Sequence, residues 1–84
     1  MKLVWAPAAW ADYQHWCRND PRVRDKVNAL IEDIQRHPFS GLGKPEPLKR
    51  NLFGWWSRRI TREHRLVYRV KGRELQIAQC RFHY

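Results

Sequence analysis

The chain has 84 residues, with 17 Lys plus Arg against 8 Asp plus Glu, and carries a formal charge of +9. That length bounds it to one domain spanning residues 1–84 and excludes a cofactor-sized α/β enzyme. A domain this small buries only about 60–65% of the surface its unfolded form exposes, so its fold rests on one thin core, for which an apolar share of 43% and five Trp are enough material.

Lys2 to Trp5 is a short apolar-rich run broken by Ala6-Pro7, which predicts a first strand followed by a helix with Pro7 in its opening turn. Ala9, Tyr13 and Trp16 recur at helical spacing, with Trp10 and Cys17 widening the stripe. Asn19-Asp20-Pro21 is a stop and restart, in which Asp20 caps a second helix and Pro21 leads it. Val23, Val27, Leu30, Ile31 and Ile34 form its apolar line, and the charged residues, Asp33 among them, are mostly left to solvent. Pro38 ends it, and the short turn between the two helices predicts a helical hairpin.

Pro38 to Asn51 shows no period and reads as a long loop holding Gly41 and Gly43, the basic trio Lys44, Lys49 and Arg50, and the lone acid Glu46 between Pro45 and Pro47. Three strand-like runs follow, Gly54 to Ile60, His64 to Val70 and Glu74 to Phe82, joined by turns at Thr61-Arg62-Glu63 and Lys71-Gly72-Arg73. In the middle run Leu66, Tyr68 and Val70 share one face, Arg65, Val67 and Arg69 the other. The last run changes parity between Ile77 and Cys80, so either both its faces are covered or a bulge near Gln79 switches its register. The sum is an α+β fold in which a short strand and a helical hairpin pack on an antiparallel sheet whose open face is basic.

Charge is laid out unevenly. Residues 1–40 hold six basic and five acidic side chains, whereas residues 41–84 hold eleven and three, a net of +8 in the second half. Such a field attracts polyanions, nucleic acid first among them. The two cysteines form neither a disulfide framework nor a Cys-x-x-Cys pair, which points to a reduced, cytoplasmic setting, and no apolar run is long enough for a signal peptide or a membrane span.

Three features on the basic half carry chemistry: Glu46, the arginine series Arg58, Arg59, Arg62, Arg65, Arg69 and Arg81, and the pair His83-Tyr84. RNA brings its own nucleophile, the 2'-hydroxyl. Its cleavage needs a base for that proton, an acid for the departing 5'-oxygen, and cations around the phosphorane. Glu46 suits the first role, His83 the second, and Arg59 with Arg65 the third, whose planar forks match phosphate. Tyr84 could instead stack on a base. The scheme uses no cofactor and no metal, and the scattered His15, His37, His64 and His83 lack ligand spacing. A lone loop glutamate is also often merely solvated, and a chain end often frays.

The segments from Pro38 to Lys49, Trp56 to Thr61, Glu63 to Tyr68 and Cys80 to Tyr84 together resemble the YoeB/Txe family of bacterial toxins, within the RelE/ParE superfamily of toxin-antitoxin systems. The resemblance covers essentially all 84 residues. It implies a RelE-like fold and an endoribonuclease that cuts mRNA in the ribosomal A site, held inactive by a YefM/Phd-type antitoxin. It further implies Glu46 as base, His83 as acid, Arg59 and Arg65 as phosphate or transition-state groups, Tyr84 as a functional tyrosine, and Lys49 on the same RNA-binding surface. Phe53, Trp55 and Phe82 depart mildly from the family pattern, and none of these changes removes a proposed catalytic residue. The rival reading is a non-catalytic ParE-like toxin that binds gyrase, or an antitoxin-binding module. The exposed aromatics and small core also suggest a homodimer.

Overall fold

The computed structural model describes residues 1–84. Strand β1 (Lys2–Trp5) leads into helices α1 (Pro7–Asn19) and α2 (Pro21–Arg36), and then come strands β2 (Glu46–Pro47), β3 (Trp56–Arg59), β4 (Arg65–Lys71) and β5 (Glu74–Gln79). Pro7 opens α1 without a side-chain cap from Ala6, whereas the Asp20 carboxylate accepts a hydrogen bond from the Val23 N–H and caps α2. The expected stripe of α2 is buried through Val27, Leu30, Ile31 and Ile34. On α1, Ala9 and Trp16 are buried but Cys17 is exposed. One residue past Trp16 is a rotation of about 100°, which carries Cys17 out of the stripe.

The sheet order is β1-β5-β4-β3-β2. The last three strands form the expected antiparallel meander, and β1 joins its edge in parallel with β5, from Lys2 opposite Glu74 to Trp5 opposite Ile77, so the sheet is mixed. The segment read as one long loop contains a strand: Glu46 pairs with Ser57 and Pro47 with Trp56 along the free edge of β3. An edge tolerates Pro47 because no further strand needs its missing donor. Both helices cover one sheet face, where Leu66, Tyr68, Leu75, Ile77 and Cys80 meet Ala9, Trp16, Leu30 and Ile34. Each fully buried aliphatic side chain there contributes about 1.5–3 kcal/mol.

The parity change in the last run is a bulge. Tyr68 lies opposite Ile77 and Val67 opposite Gln79, leaving Ala78 without a partner. Leu75 and Ile77 before the bulge and Cys80 after it therefore all turn to the helices and are essentially inaccessible. The Cys80 thiol donates to the Ala9 carbonyl oxygen, and burial pushes its pKa up to about 12. We expect an aromatic disulfide reagent at neutral pH to modify Cys17 promptly and Cys80 only after denaturant is added, because the thiolate is the nucleophile. Two fast equivalents in native protein would contradict this packing.

Arg58 departs from expectation. It lies on the helix side of β3, not on the basic face, and has no accessible surface. Its five N–H groups all find acceptors: the Tyr68 hydroxyl, the Asp33 carboxylate, and the carbonyls of His37, Ser40 and Leu42. Asp33 is thus drawn into an ion pair instead of facing solvent, and the Arg58 hydrogen bond, helped by the Leu42 N–H, holds its carboxyl below the usual range. Glycine is required where the loop closes on this cage. Gly41 has φ 109°, and a Cβ there would lie 2.3 Å from an Asp33 carboxylate oxygen. Gly43, at φ 79°, accepts the Arg59 N–H on its carbonyl oxygen at 2.7 Å. The loop is tethered to β3 at both levels, which fixes where Lys44 and Glu46 emerge.

Candidate active site

On the open face of the sheet, alternation places Ser57 and Arg59 of β3 beside Arg65 and Val67 of β4, with Glu46 of β2 opposite Ser57. The chain end closes this surface into a cleft. Phe82, at φ 62°, turns the backbone, and the tail crosses β4 until the Tyr84 hydroxyl lies 3.2 Å from the Ser57 hydroxyl on β3. The resulting cleft of about 190 Å³ is lined by Lys44, Glu46, Ser57, Arg59, Arg65, His83 and Tyr84.

The cleft brings together Glu46, Arg59, Arg65, His83 and Tyr84 from four separate stretches of sequence. Lys49 is exposed at the entry to the 3₁₀ turn Arg50–Leu52 and stands outside the lining. Arg69 and Arg81 are engaged elsewhere. Arg69 lies over the Trp55 ring at 4.4 Å and donates to Gln76, and Arg81 lies over the rings of Phe82 and Trp16. Lys44, which the sequence marks only as one of the loop's three basic residues, and Ser57, which it does not mark, also line the cleft. Ser57 is legible in retrospect, since it shares strand parity with Arg59, whereas Lys44 sits at φ 52° in a loop whose path depends on the Arg58 cage.

Arg65 is held where it is needed. One terminal nitrogen of its guanidinium donates to the carbonyls of Thr61, Arg62 and His64, in the turn between β3 and β4. The same turn is tightened by the Thr61 hydroxyl, which accepts from the N–H groups of Glu63 and His64. The rest of the guanidinium is left to the cleft. Nδ1 of His83 lies 3.2 Å from the main-chain oxygen of Tyr84, and the two rings lie in tilted contact with centroids 4.8 Å apart. When the imidazole carries both protons, that oxygen accepts from Nδ1–H, and Nε2–H remains to be given away. Three permanent cations, Lys44, Arg59 and Arg65, thus surround one carboxylate and one imidazole, an arrangement fit for an anion with a transferable proton on either side. Among the remaining side chains, no group of three or more His, Cys, Asp or Glu converges as a metal site would require, and no helix is long and apolar enough to cross a membrane.

A helical hairpin packed on a mixed sheet is a fold found among the small toxins of bacterial toxin-antitoxin systems. It matches the solved YoeB/ParE toxin from Agrobacterium tumefaciens with a TM-score of 0.98 and 58% identity over all of both chains. Staphylococcus aureus YoeB, 44% identical with 100% of this chain and 98% of that one covered, is solved as a dimer (TM-score 0.94) and in a heterotetrameric complex with YefM (TM-score 0.93). Toxin YoeB of Escherichia coli is 58% identical over 84 residues, the whole of both chains. Residues 5–84 match the family described as the YoeB-like toxin of the bacterial type II toxin-antitoxin system. The chain belongs to that family.

Proposed function

We propose that this toxin is a ribosome-dependent endoribonuclease that cuts mRNA in the A site and so stops translation. The observation that carries the reading is the convergence of Glu46, Arg59, Arg65 and His83 on one cleft. Glu46 removes the proton from a 2'-hydroxyl. The oxygen attacks the adjacent phosphorus, and the 5'-oxygen leaves with a proton from His83. Arg59, Arg65 and Lys44 hold the phosphate and balance the charge that builds on its non-bridging oxygens. Tyr84 orients the substrate through its ring, and Lys49 engages the RNA backbone outside the cleft. The ribosome supplies what so open a cleft does not, namely a strand held with its 2'-hydroxyl in line with the leaving oxygen.

Partners follow from the same surface. A YefM/Phd-type antitoxin with acidic residues would cover the cationic cleft and displace the tail that bears His83 and Tyr84. The solved complex of S. aureus YoeB with YefM supports an antitoxin partner of that type, and the dimer of the same relative supports a homodimer here. The place of action is the cytoplasm.

The reaction fixes its products: a 2',3'-cyclic phosphate on one fragment and a 5'-hydroxyl on the other. Mass spectrometry of mRNA cut on programmed ribosomes is expected to find both. A 5'-phosphate terminus would overturn the mechanism. Intact mRNA together with inhibited DNA supercoiling would move the protein to the gyrase-binding class.

A further inference from the structure

The proposed acid, His83, stands on a tail whose course is set by one residue. Phe82 has a left-handed backbone, which crowds Cβ against the neighbouring carbonyl oxygen, so something must hold it there. Both of its main-chain polar groups are captured by two consecutive residues of β4 and the turn before it. Its carbonyl oxygen accepts from the Arg65 N–H at 3.0 Å, and its N–H donates to Nδ1 of His64 at 2.8 Å. The Arg65 contact prolongs the strand pairing. The His64 contact does not, since it is a side chain reaching out to take a donor that the sheet leaves free.

His64 is itself fixed for this. Its ring stands edge-on to Trp16 with centroids 4.8 Å apart and lies 5.9 Å from the Phe82 ring. Trp16 is buried and anchored by its indole N–H on the Cys80 carbonyl at 2.8 Å, so the core of the domain orients the imidazole. The Phe82 N–H can bond only to a nitrogen bearing a lone pair, which assigns His64 the tautomer protonated at Nε2. Backbone curvature, acceptor and core support all meet at the residue just before the proposed acid.

We propose that His64 is a positioning residue for cleavage: it accepts the Phe82 N–H, holds the left-handed turn, and thereby sets His83 and Tyr84 against the phosphate. It touches no reacting atom. The inference rests on the reading of His83 as the acid, and it adds that the acid's position is imposed by a second histidine 19 positions earlier, through the main chain. A proton donor displaced by about 1 Å loses on the order of 100-fold in rate, whereas the arginines that bind phosphate stay where they are.

The test uses two near-isosteric variants that both lose the imidazole. His64→Asn keeps an acceptor at the position of Nδ1, and His64→Leu does not. We expect His64→Leu to lower the single-turnover cleavage rate on saturating ribosomes by about 100-fold with little change in ribosome affinity, and His64→Asn to recover most of that loss. Amide exchange gives an independent readout: the Phe82 N–H is protected in wild type and in His64→Asn and loses protection in His64→Leu. Melting curves confirm that both variants are folded at the assay temperature. Equal rates for Asn and Leu, or unchanged Phe82 protection in His64→Leu, would overturn the positioning role. If wild-type protein cuts no RNA while the exchange pattern holds, the clamp stands and the nuclease reading falls.

Discussion

Glu46→Gln and His83→Gln are each expected to slow mRNA cleavage on ribosomes by about 10²–10⁴-fold while leaving ribosome binding nearly intact. Both substitutions keep size and polarity and remove only the ability to take or give a proton, so the loss falls on the chemical step. Single-turnover rates at saturating ribosome, with affinity measured separately, distinguish this from weakened binding. Arg65 offers the contrast. Its fork is shared between the turn carbonyls and the cleft, so Arg65→Lys keeps the charge but cannot span both. A full rate for either Gln variant would remove that residue from the chemistry, and the scheme with it.

The elements of this fold are legible because their signals are local. The Asp20-Pro21 restart, the stripe from Val27 to Ile34 and the alternation of Leu66, Tyr68 and Val70 each depend on neighbours a few residues away, and all appear where the pattern places them. Glu46, Arg59, Arg65 and His83 are legible for another reason. Cleavage of a phosphodiester asks for a few residue types, and the basic half of the chain supplies them on segments a meander can bring together.

What sequence leaves dark depends on partners far along the chain. Asp33 reads as solvated on a helix and Arg58 as one more basic-face arginine, yet they find each other 25 residues apart. Strand parity alone separates Arg58 from Arg59, and that parity becomes interpretable only once the helix-covered face is known. The edge strand at Glu46 is hidden in the same way, since a two-residue strand that itself ends in Pro47 carries no period. Lys44 enters the cleft only because the loop before it is tied down.

Arg58→Met is expected to lower stability by about 3–5 kcal/mol, the range for breaking a buried ion pair by removing one partner. Methionine fills much of the space but satisfies none of the acceptors left behind, the Asp33 carboxylate and three loop carbonyls among them. Asp33→Asn should be milder, because Arg58 retains those carbonyls and the Tyr68 hydroxyl. The pair also sets an acid limit. Asp33 has a folded-state pKa below its ordinary value of 3.8, so its contribution is complete above that value and is lost as pH falls below it toward the folded pKa. The stability difference between wild type and Asp33→Asn, from denaturant melts between pH 3 and 7, is therefore expected to narrow only at the acid end. Parallel curves across the range would show that the pair adds nothing. Stability and activity should fail together in Arg58→Met, since the loop that the guanidinium gathers leads through Gly43 to Lys44 and Glu46. A variant that melts like wild type while cutting normally would mean the cleft holds its shape without the cage.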